Sequence, residues 1–332
     1  MEKPSIPDDN RVAVELKKAD EQISQGIETQ VNELFILNPI KRSYEFLFFG
    51  IVYLIGAIAV SQFEGNWVLT LFGIIFMGIA LNSLVIFMHE GLHGLLANNH
   101  RLNHLMTFLV GLPLMVSATA FYTTHVNHHY EIGRKSDYAT YRQHTRKSVF
   151  VWIAYFLQLA IGSFLYITLI PFLGFKDASK KSRVKIVAEY ILIMSAFTVF
   201  FTQVSTANIL LYWLYPAFVL NILSNVRGLA SHSLGDVENL YLSSRTVKGS
   251  KFITTIFMNE NHHLEHHIFP RTPSYNLRAM HALIWDRLPQ AMYSESYPRF
   301  LFGMIKAAIR QDLSPMGVVN PMKNTQNSLM LK

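Results

Sequence analysis

The chain has 332 residues, of which 51% are hydrophobic and 15% are charged, and its formal net charge is +7. Soluble proteins usually carry about 25% charged residues, and the charge missing here is missing from a few long blocks, which is typical of membrane spans. The absence of cysteine excludes disulfides, iron–sulfur clusters and thiolate catalysis in this chain.

Residues 1–42 are predicted to form a cytosolic amino-terminal extension, and they contain no apolar region of the signal-peptide type. Leu16, Ile23, Ile27 and Val31 recur at roughly helical spacing within it. Two interpretations remain open from the sequence. The segment is either an amphipathic helix lying near the membrane or an ordinary solvated extension.

Four segments without charge predict transmembrane helices arranged as two hairpins. Residues 46–63 and 67–88 are each long enough to cross a hydrocarbon core of ~30 Å, with Glu64 in the turn between them. Residues 190–226 are too many for one span, and the polar stretch 205–208 predicts the turn of a second hairpin.

Two further apolar runs, 105–124 and 149–175, are interpreted as re-entrant or in-plane helices. This interpretation rests on the positive-inside bias, because it leaves every basic loop on the cytoplasmic side. A single crossing by either run would put histidines on opposite sides of the membrane. The basic groups concerned are 41–42, 134–135, 146–147 and the lysines and arginine between 176 and 185.

The predicted fold is therefore an all-α integral membrane protein with four transmembrane helices, re-entrant or in-plane helices and a cytosolic helical cap. Residues 43–288 form the expected membrane domain and residues 289–332 a cytosolic carboxy-terminal tail. Both termini are expected in the cytoplasm, and no nucleic-acid partner is expected. The excess of basic residues suits anionic lipid headgroups or an acidic protein partner.

The chain has 14 histidines, and eight of them form three short motifs. On a helix, residues three and four apart share a face, so the histidines within each motif point the same way. Neutral imidazole binds borderline divalent metals, and eight imidazoles suit two metals with room for oxygen. No Glu-x-x-His pattern of the carboxylate-bundle type is noted. The motifs are HEGLH with His89 and His93, HVNHH with His125, His128 and His129, and HLEHH with His263, His266 and His267.

At these motifs the sequence resembles the membrane fatty acid desaturase superfamily, which is marked by three histidine boxes. The resemblance covers residues 46 to 288, and residues 261–281 look like bacterial acyl-lipid desaturases in particular. It implies a non-haem centre of two irons with O₂ as co-substrate. It also implies a ninth imidazole, here His232, although relatives often have Glu at the position of Ser231 and some have Asn at the position of Gly228.

Carboxylates near the boxes are candidates for orienting the ligand histidines, because a ligating imidazole usually donates its other N–H to a carboxylate or carbonyl. Glu90, Asp137 and Glu265 are the candidates. Asp236 and Glu238 are interpreted as solvated charges instead. The four remaining histidines outside the third box, namely His100, His104, His144 and His281, are interpreted as surface residues.

The resemblance implies O₂-dependent desaturation of a fatty acyl chain carried by a lipid, CoA or a carrier protein. The alternative within the same chemistry is a carotenoid ketolase or hydroxylase. A remote alternative is an intramembrane zinc metalloprotease, because HEGLH matches H-E-x-x-H with Glu90 as general base and Asp236 as a third ligand. An oxygenase of this kind needs outside electrons, so a separate ferredoxin or b-type cytochrome is the expected partner.

Overall fold

The computed structural model describes residues 10–63, 65–132, 137–138 and 140–319. Glu64 and the basic pair 134–135 lie outside the described residues. The chain is mainly helical and divides into two compact units. Among the described residues, unit 1 comprises 37–125 and 158–225, and unit 2 comprises 10–36, 126–157 and 226–319.

The first predicted hairpin is present in unit 1 as helices α3, Pro39–Gln62, and α4, Trp67–Leu92. Gly65 between them has φ of +88°, which a residue without a side chain adopts at little cost. Gly56 and Gly73 let the two backbones approach closely. A Cβ on Gly56 would lie 2.5 Å from the Gly73 carbonyl oxygen, and one on Gly73 would lie 2.6 Å from that of Gly56. Small residues at a crossing are the usual means of close helix packing in membranes.

The predicted break in the second long apolar segment is confirmed. Helix α8, Lys180–Gln203, ends before Ser205, whose side chain accepts a hydrogen bond from the Asn208 N–H and so starts the next helix. The continuation consists of α9 at Thr206–Ile209, a π-helical turn at Leu210–Leu214 and α10 at Tyr215–His232.

One of the two runs expected to be re-entrant is strongly bent. It forms α5, His100–Gly111, a short 3₁₀ turn, and α6, Ala118–Tyr130. The two helical arms meet at 99°, which is the geometry of a broken span or a re-entrant loop. The bend is compatible with the predicted re-entrant or in-plane helix, which stays a prediction for this run.

The other run forms the single helix α7, Ser148–Asp177, which is bent at Ile161, where φ is −140° and ψ is 17°. The side chain of Asn221 bonds the backbone groups that the bend frees. It donates to the Ala160 carbonyl oxygen at 2.7 Å and accepts from the Ser163 N–H at 3.0 Å. A neighbouring polar side chain of this kind is what allows a broken helix at membrane depth.

Five helices of the described chain are long and apolar enough to cross a membrane by length and composition. Four correspond to the predicted spans, and the fifth is α7. The exact count of four spans therefore stays a prediction, and so do the domain boundaries at residues 42 and 288. The five are Pro39–Gln62, Trp67–Leu92, Ser148–Asp177, Lys180–Gln203 and Thr206–His232.

Unit 2 contains the amino-terminal segment, which forms α1, Arg11–Ser24, and α2, Glu28–Leu34. The helical spacing in the sequence is confirmed, but the apolar stripe packs against protein rather than lying on a membrane or in solvent. Its partners come mainly from α12, His263–Ile268, and α13, Ser274–Ile284. The shared core includes Ala19, Ile23, Ile27, Val31, Leu264, Ile268, Met280 and Ile284.

A small three-stranded sheet, which no pattern in the sequence predicted, completes unit 2. Strands β1 and β2 pair in parallel, and β2 pairs antiparallel with β3. The elements are β1 at Thr246–Val247, α11 at Lys251–Ile256, β2 at Met292–Ser294, α14 at Tyr297–Ile309 and β3 at Val318–Val319.

The fully buried Arg245 fixes the end of α10, which carries His232. Its guanidinium donates to the carbonyl oxygens of Ala230 at 2.5 Å, Ser233 at 3.1 Å and Met316 at 2.5 Å. The last carbonyls of a helix lack partners within the helix and need such donors. Arg245 therefore ties the carboxy-terminal end of α10 to the segment before β3.

Candidate metal centre

Three of the predicted ligands converge in unit 1. His89 lies in the last turn of α4, His93 follows as its C-cap, and His125 lies on α6. The ring centroids are 4.6 to 5.1 Å apart, and each ring offers a nitrogen within 4.8 Å of the other two. Nε2 of His93 lies 2.8 Å from Nε2 of His125. We call these three residues the first imidazole cluster.

Six predicted ligands converge in unit 2, with His232 at their centre. Nε2 of His232 lies 2.8 Å from Nε2 of His263 and 3.3 Å from Nε2 of His128. His267 joins them, because His128, His232 and His267 each offer a nitrogen within 4.8 Å of the other two. The His129 ring stacks on His267 with centroids 4.4 Å apart. The second imidazole cluster comprises His128, His129, His232, His263, His266 and His267.

The local sequence explains how α12 presents its three histidines. His263 begins the helix, and His266 and His267 follow three and four residues later on the same face. The centroid of the His263 ring is 5.2 Å from that of His266 and 4.9 Å from that of His267. The neighbouring His262 is the N-cap, and its ring lies against His281 with centroids 4.6 Å apart.

The arrangement at His232 fits a metal ion better than a hydrogen-bond network. A ring nitrogen carries at most one proton, so Nε2 of His232 cannot share one with both His128 and His263. In addition, Nδ1 of His232 and Nε2 of His267 are buried without a hydrogen-bond partner. Burial and neighbouring imidazoles hold the pKa of His267 well below its usual range, which keeps this ring in the neutral form that binds metals.

Asp137, a predicted orienting carboxylate, lies beside the ring of His128. Its Oδ1 lies 3.1 Å from Nδ1 of His128, and Thr140 donates to its other oxygen at 2.5 Å. The carboxylate is almost completely buried. By accepting the Nδ1 proton, Asp137 directs the Nε2 lone pair of His128 toward His232.

Glu260, which is not among the carboxylates that the sequence predicted, has the same relation to His263. Oε2 of Glu260 lies 3.0 Å from Nδ1 of His263 and 3.5 Å from Nη1 of Arg227. The spacing of Glu260 and His263 is Glu-x-x-His, but a contact with Nδ1 differs from the direct metal ligation by carboxylates in the bundle type. The carboxylate contacts the Nδ1 side of the ring, and its geometry is that of an orienting partner.

The other two carboxylates predicted to orient ligand histidines have different partners. Glu90 is buried and forms an ion pair with the buried Arg42 at 2.5 Å. The oxygens of Glu265 accept hydrogen bonds from Nδ1 of His281 at 2.5 Å and from the Thr246 hydroxyl. Glu265 therefore orients a histidine outside the predicted ligand set. Arg42 was expected to be a basic charge in a cytoplasmic loop, but it is buried and neutralised by Glu90.

Two histidines interpreted as surface residues are half-buried and paired. His281 bonds Glu265 as described, and Nε2 of His104 lies 3.1 Å from Glu189. His100 and His144 are exposed, as expected. Of the acids interpreted as solvated charges, Glu238 is exposed and pairs with Arg11, and Asp236 accepts the Glu238 N–H.

Glu189 on α8 fixes the start of α6, the helix that carries His125. Its carboxylate accepts from the Ser117 hydroxyl at 2.6 Å, and from the N–H and hydroxyl of Thr119 at 3.0 and 2.7 Å. A carboxylate is favourable at a helix N-terminus, because the first N–H groups have no partner within the helix. No sequence motif marks Glu189, which directly precedes a charge-free segment.

Comparison with known proteins gives one family. The sequence model of the family described as fatty acid desaturase matches residues 65–297, which is more than half of the chain. The matched region contains all three histidine boxes. A comparison with curated proteins gives no match.

Proposed function

Because the chain belongs to the fatty acid desaturase family, we propose that it introduces a double bond into a fatty acyl chain, using O₂ and two histidine-bound irons. The observation that carries the proposal is the convergence of imidazole nitrogens on His232, at 2.8 Å from His263 and 3.3 Å from His128. The second cluster offers the ligands of one metal, and the first cluster offers those of another. The acyl chain is carried by a lipid, CoA or a carrier protein.

The irons would supply an O₂-dependent oxidant able to break an unactivated C–H bond, which no side chain can do alone. The chain's own residues hold the ligands in place. Asp137 and Glu260 accept the Nδ1 protons of His128 and His263 and so present Nε2 of each ring as the ligand atom. An outer partner of this kind typically contributes about 10–100-fold in metal affinity or activity.

We further propose a multi-pass membrane protein with the imidazole clusters and both termini on the cytoplasmic side. The five long apolar helices support membrane insertion. Electrons come from a separate ferredoxin or b-type cytochrome, because the chain has no cysteine for an iron–sulfur cluster of its own.

The protease alternative has little support at Glu90. A general base must be within reach of a water and free to accept its proton. The Glu90 carboxylate is fully buried and forms an ion pair with Arg42. The ion pair favours the charged carboxylate, so Glu90 is a poor acceptor for a proton from water. Its role in this environment is to join α3 to α4 beside His89.

The test is expression in a host with a simple lipid pool, followed by mass spectrometry with double-bond localisation. We expect a new unsaturated acyl chain with the wild-type protein and none with His263→Ala. A parallel host that makes carotenoids tests the alternative substrate. Altered carotenoids with unchanged acyl chains would reject the acyl proposal, and unchanged lipids of both kinds with an iron-loaded, reducible protein would reject desaturation.

A further inference from the structure

Unit 2 has an open cavity of about 390 Å³ whose wall contains none of the predicted metal ligands. Its wall is formed by residues from β1, α11, the start of α12, α13 and β2. His262 and His281 lie in the wall together with Trp285 and Tyr293. None of these four residues belongs to the predicted ligand set.

We propose that this cavity is where a small acidic electron-carrier protein docks, and that the aromatic side chains in its wall conduct the electrons to the second imidazole cluster. The inference rests on the proposed function, since it names the docking site and route of the electrons that desaturation consumes. It assigns a role to residues that do not bind the metals.

The charge around the cavity favours an acidic partner. Lys248, Lys251 and Arg278 are exposed and line it, whereas Glu295 is the one acidic side chain among the described residues of its wall. Opposite charge steers encounter and sets orientation more than it adds affinity. Such a contact suits a carrier that must bind, deliver an electron and leave, because transient redox complexes have small interfaces.

The rings in the wall form a continuous series. The Tyr293 and Trp285 centroids are 5.9 Å apart, those of Trp285 and His281 are 4.6 Å apart, and those of His281 and His262 are 4.6 Å apart. These separations are those of aromatic pairs in contact. His262 is covalently joined to His263, which lies in the second cluster.

Hydrogen bonds hold the middle of this series in place. Nδ1 of His281 donates to Glu265, and Thr246 donates to the other oxygen of the same carboxylate. Glu265 directly precedes His266, so this hydrogen bond provides a second connection from His281 to the cluster. Electron transfer weakens steeply with the gap between groups, and rings fixed in contact avoid such gaps.

The stoichiometry requires repeated docking. One O₂, two electrons, two protons and the two hydrogens removed from the acyl chain give one alkene and two waters. A carrier with one [2Fe–2S] cluster or one haem is oxidised by one electron at each visit. Two visits are therefore needed for each double bond, and a short-lived contact at the cavity permits them.

The docking test uses the iron-loaded, full-length enzyme with two purified probes, an acidic [2Fe–2S] ferredoxin and a soluble b-type cytochrome. Lys248→Glu/Lys251→Glu is compared with Lys17→Glu/Lys18→Glu, a control pair on exposed lysines of α1 with the same change in net charge. We expect the cavity pair to weaken binding of at least one carrier by about tenfold or more at low salt, and the control pair to leave it near the wild-type value.

Equal effects of the two pairs, no effect of the cavity pair, or no binding of either carrier to the wild-type enzyme would overturn the docking site. The first result would mean that the carrier responds only to overall charge. Raising the ionic strength should weaken wild-type binding, because the Debye length falls from about 10 Å at 0.1 M to about 3 Å at 1 M salt.

The route is tested by Trp285→Leu beside Trp285→Phe. Reduction of the iron by pre-reduced carrier is followed anaerobically by rapid mixing, with carrier affinity and iron content measured on the same samples. We expect slower reduction with Trp285→Leu, recovery with Trp285→Phe, and unchanged iron content. Because Trp285 lines the docking cavity, reduction rates are compared at saturating carrier, where a difference in affinity no longer limits the rate. Equal reduction rates in all three proteins would refute the route. If the wild-type enzyme binds the carrier and its iron is reduced but no unsaturated product forms, the proposed function fails and the docking inference stands.

Discussion

The two adjacent histidines at the start of α12 should respond oppositely to substitution. His263 belongs to the second imidazole cluster, with its Nε2 2.8 Å from Nε2 of His232 and its Nδ1 held by Glu260. His262 instead stacks on His281, with ring centroids 4.6 Å apart. We expect His263→Ala to lose iron and all activity, and His262→Ala to keep its iron.

The size of the difference follows from these contacts. Metal binding at a four-ligand site is worth about 10–16 kcal/mol, so one ligand contributes on the order of 3 kcal/mol, or about 100-fold in affinity. His263→Ala also leaves the buried Glu260 carboxylate without its imidazole partner. For His262→Ala, removal of an outer residue should leave activity reduced by about 10–100-fold, with electron supply as the step that slows.

The assay is iron per chain in the purified variants after dialysis against a weak chelator, measured beside product formation. His144→Ala, at an exposed histidine, is the control for loss of a ring alone. An empty metal site in His262→Ala with a loaded site in His263→Ala would show that the register of α12 is wrong. Equal losses of iron in both variants would refute the division of roles between them.

Three further outcomes are expected. An engineered glycosylation acceptor near Gly65 should be modified and acceptors near Gln143 and Ser179 should not; modification at Ser179 alone would show that α7 crosses the membrane. Arg42→Met should lower the free energy of unfolding by about 3–5 kcal/mol because it removes the cationic partner of the buried Glu90 carboxylate, and the double variant with Glu90→Leu should recover most of the loss in thermal denaturation; full additivity of the two losses would exclude a direct pair. Strong chelation should abolish product formation, and ferrous iron but not zinc should restore it, whereas recovery with zinc would favour hydrolytic chemistry.

The sequence predicts the helices and the imidazole clusters because both depend on residues that are close together in the chain. Charge-free segments long enough to cross a membrane are recognised by their length and composition, and histidines three or four apart on a helix share a face. The breaks after Gln62 and before Ser205 were predicted for the same reason, since polar residues interrupt otherwise apolar segments. The prediction that Asp137 orients a histidine followed from its closeness to the second box.

The contacts that the sequence did not predict join residues far apart in the chain. Arg42 and Glu90 are 48 residues apart, and Thr119 and Glu189 are 70 apart. In each case the sequence contains an ordinary charged residue beside an apolar segment, and only its burial in the folded chain gives it a structural role. The amino-terminal stripe is similar, because helical periodicity indicates an apolar face but does not indicate whether lipid, water or protein covers it.

The position of Glu189 has a consequence for the order of events during synthesis. The first imidazole cluster is complete in the growing chain once His125 has been made, but the carboxylate that caps its helix is made only about 64 residues later. At roughly 5–20 residues per second, α6 spends several seconds without its cap. Stable iron binding by the first cluster should therefore follow the insertion of α8, and nascent chains arrested before Glu189 should not retain the metal.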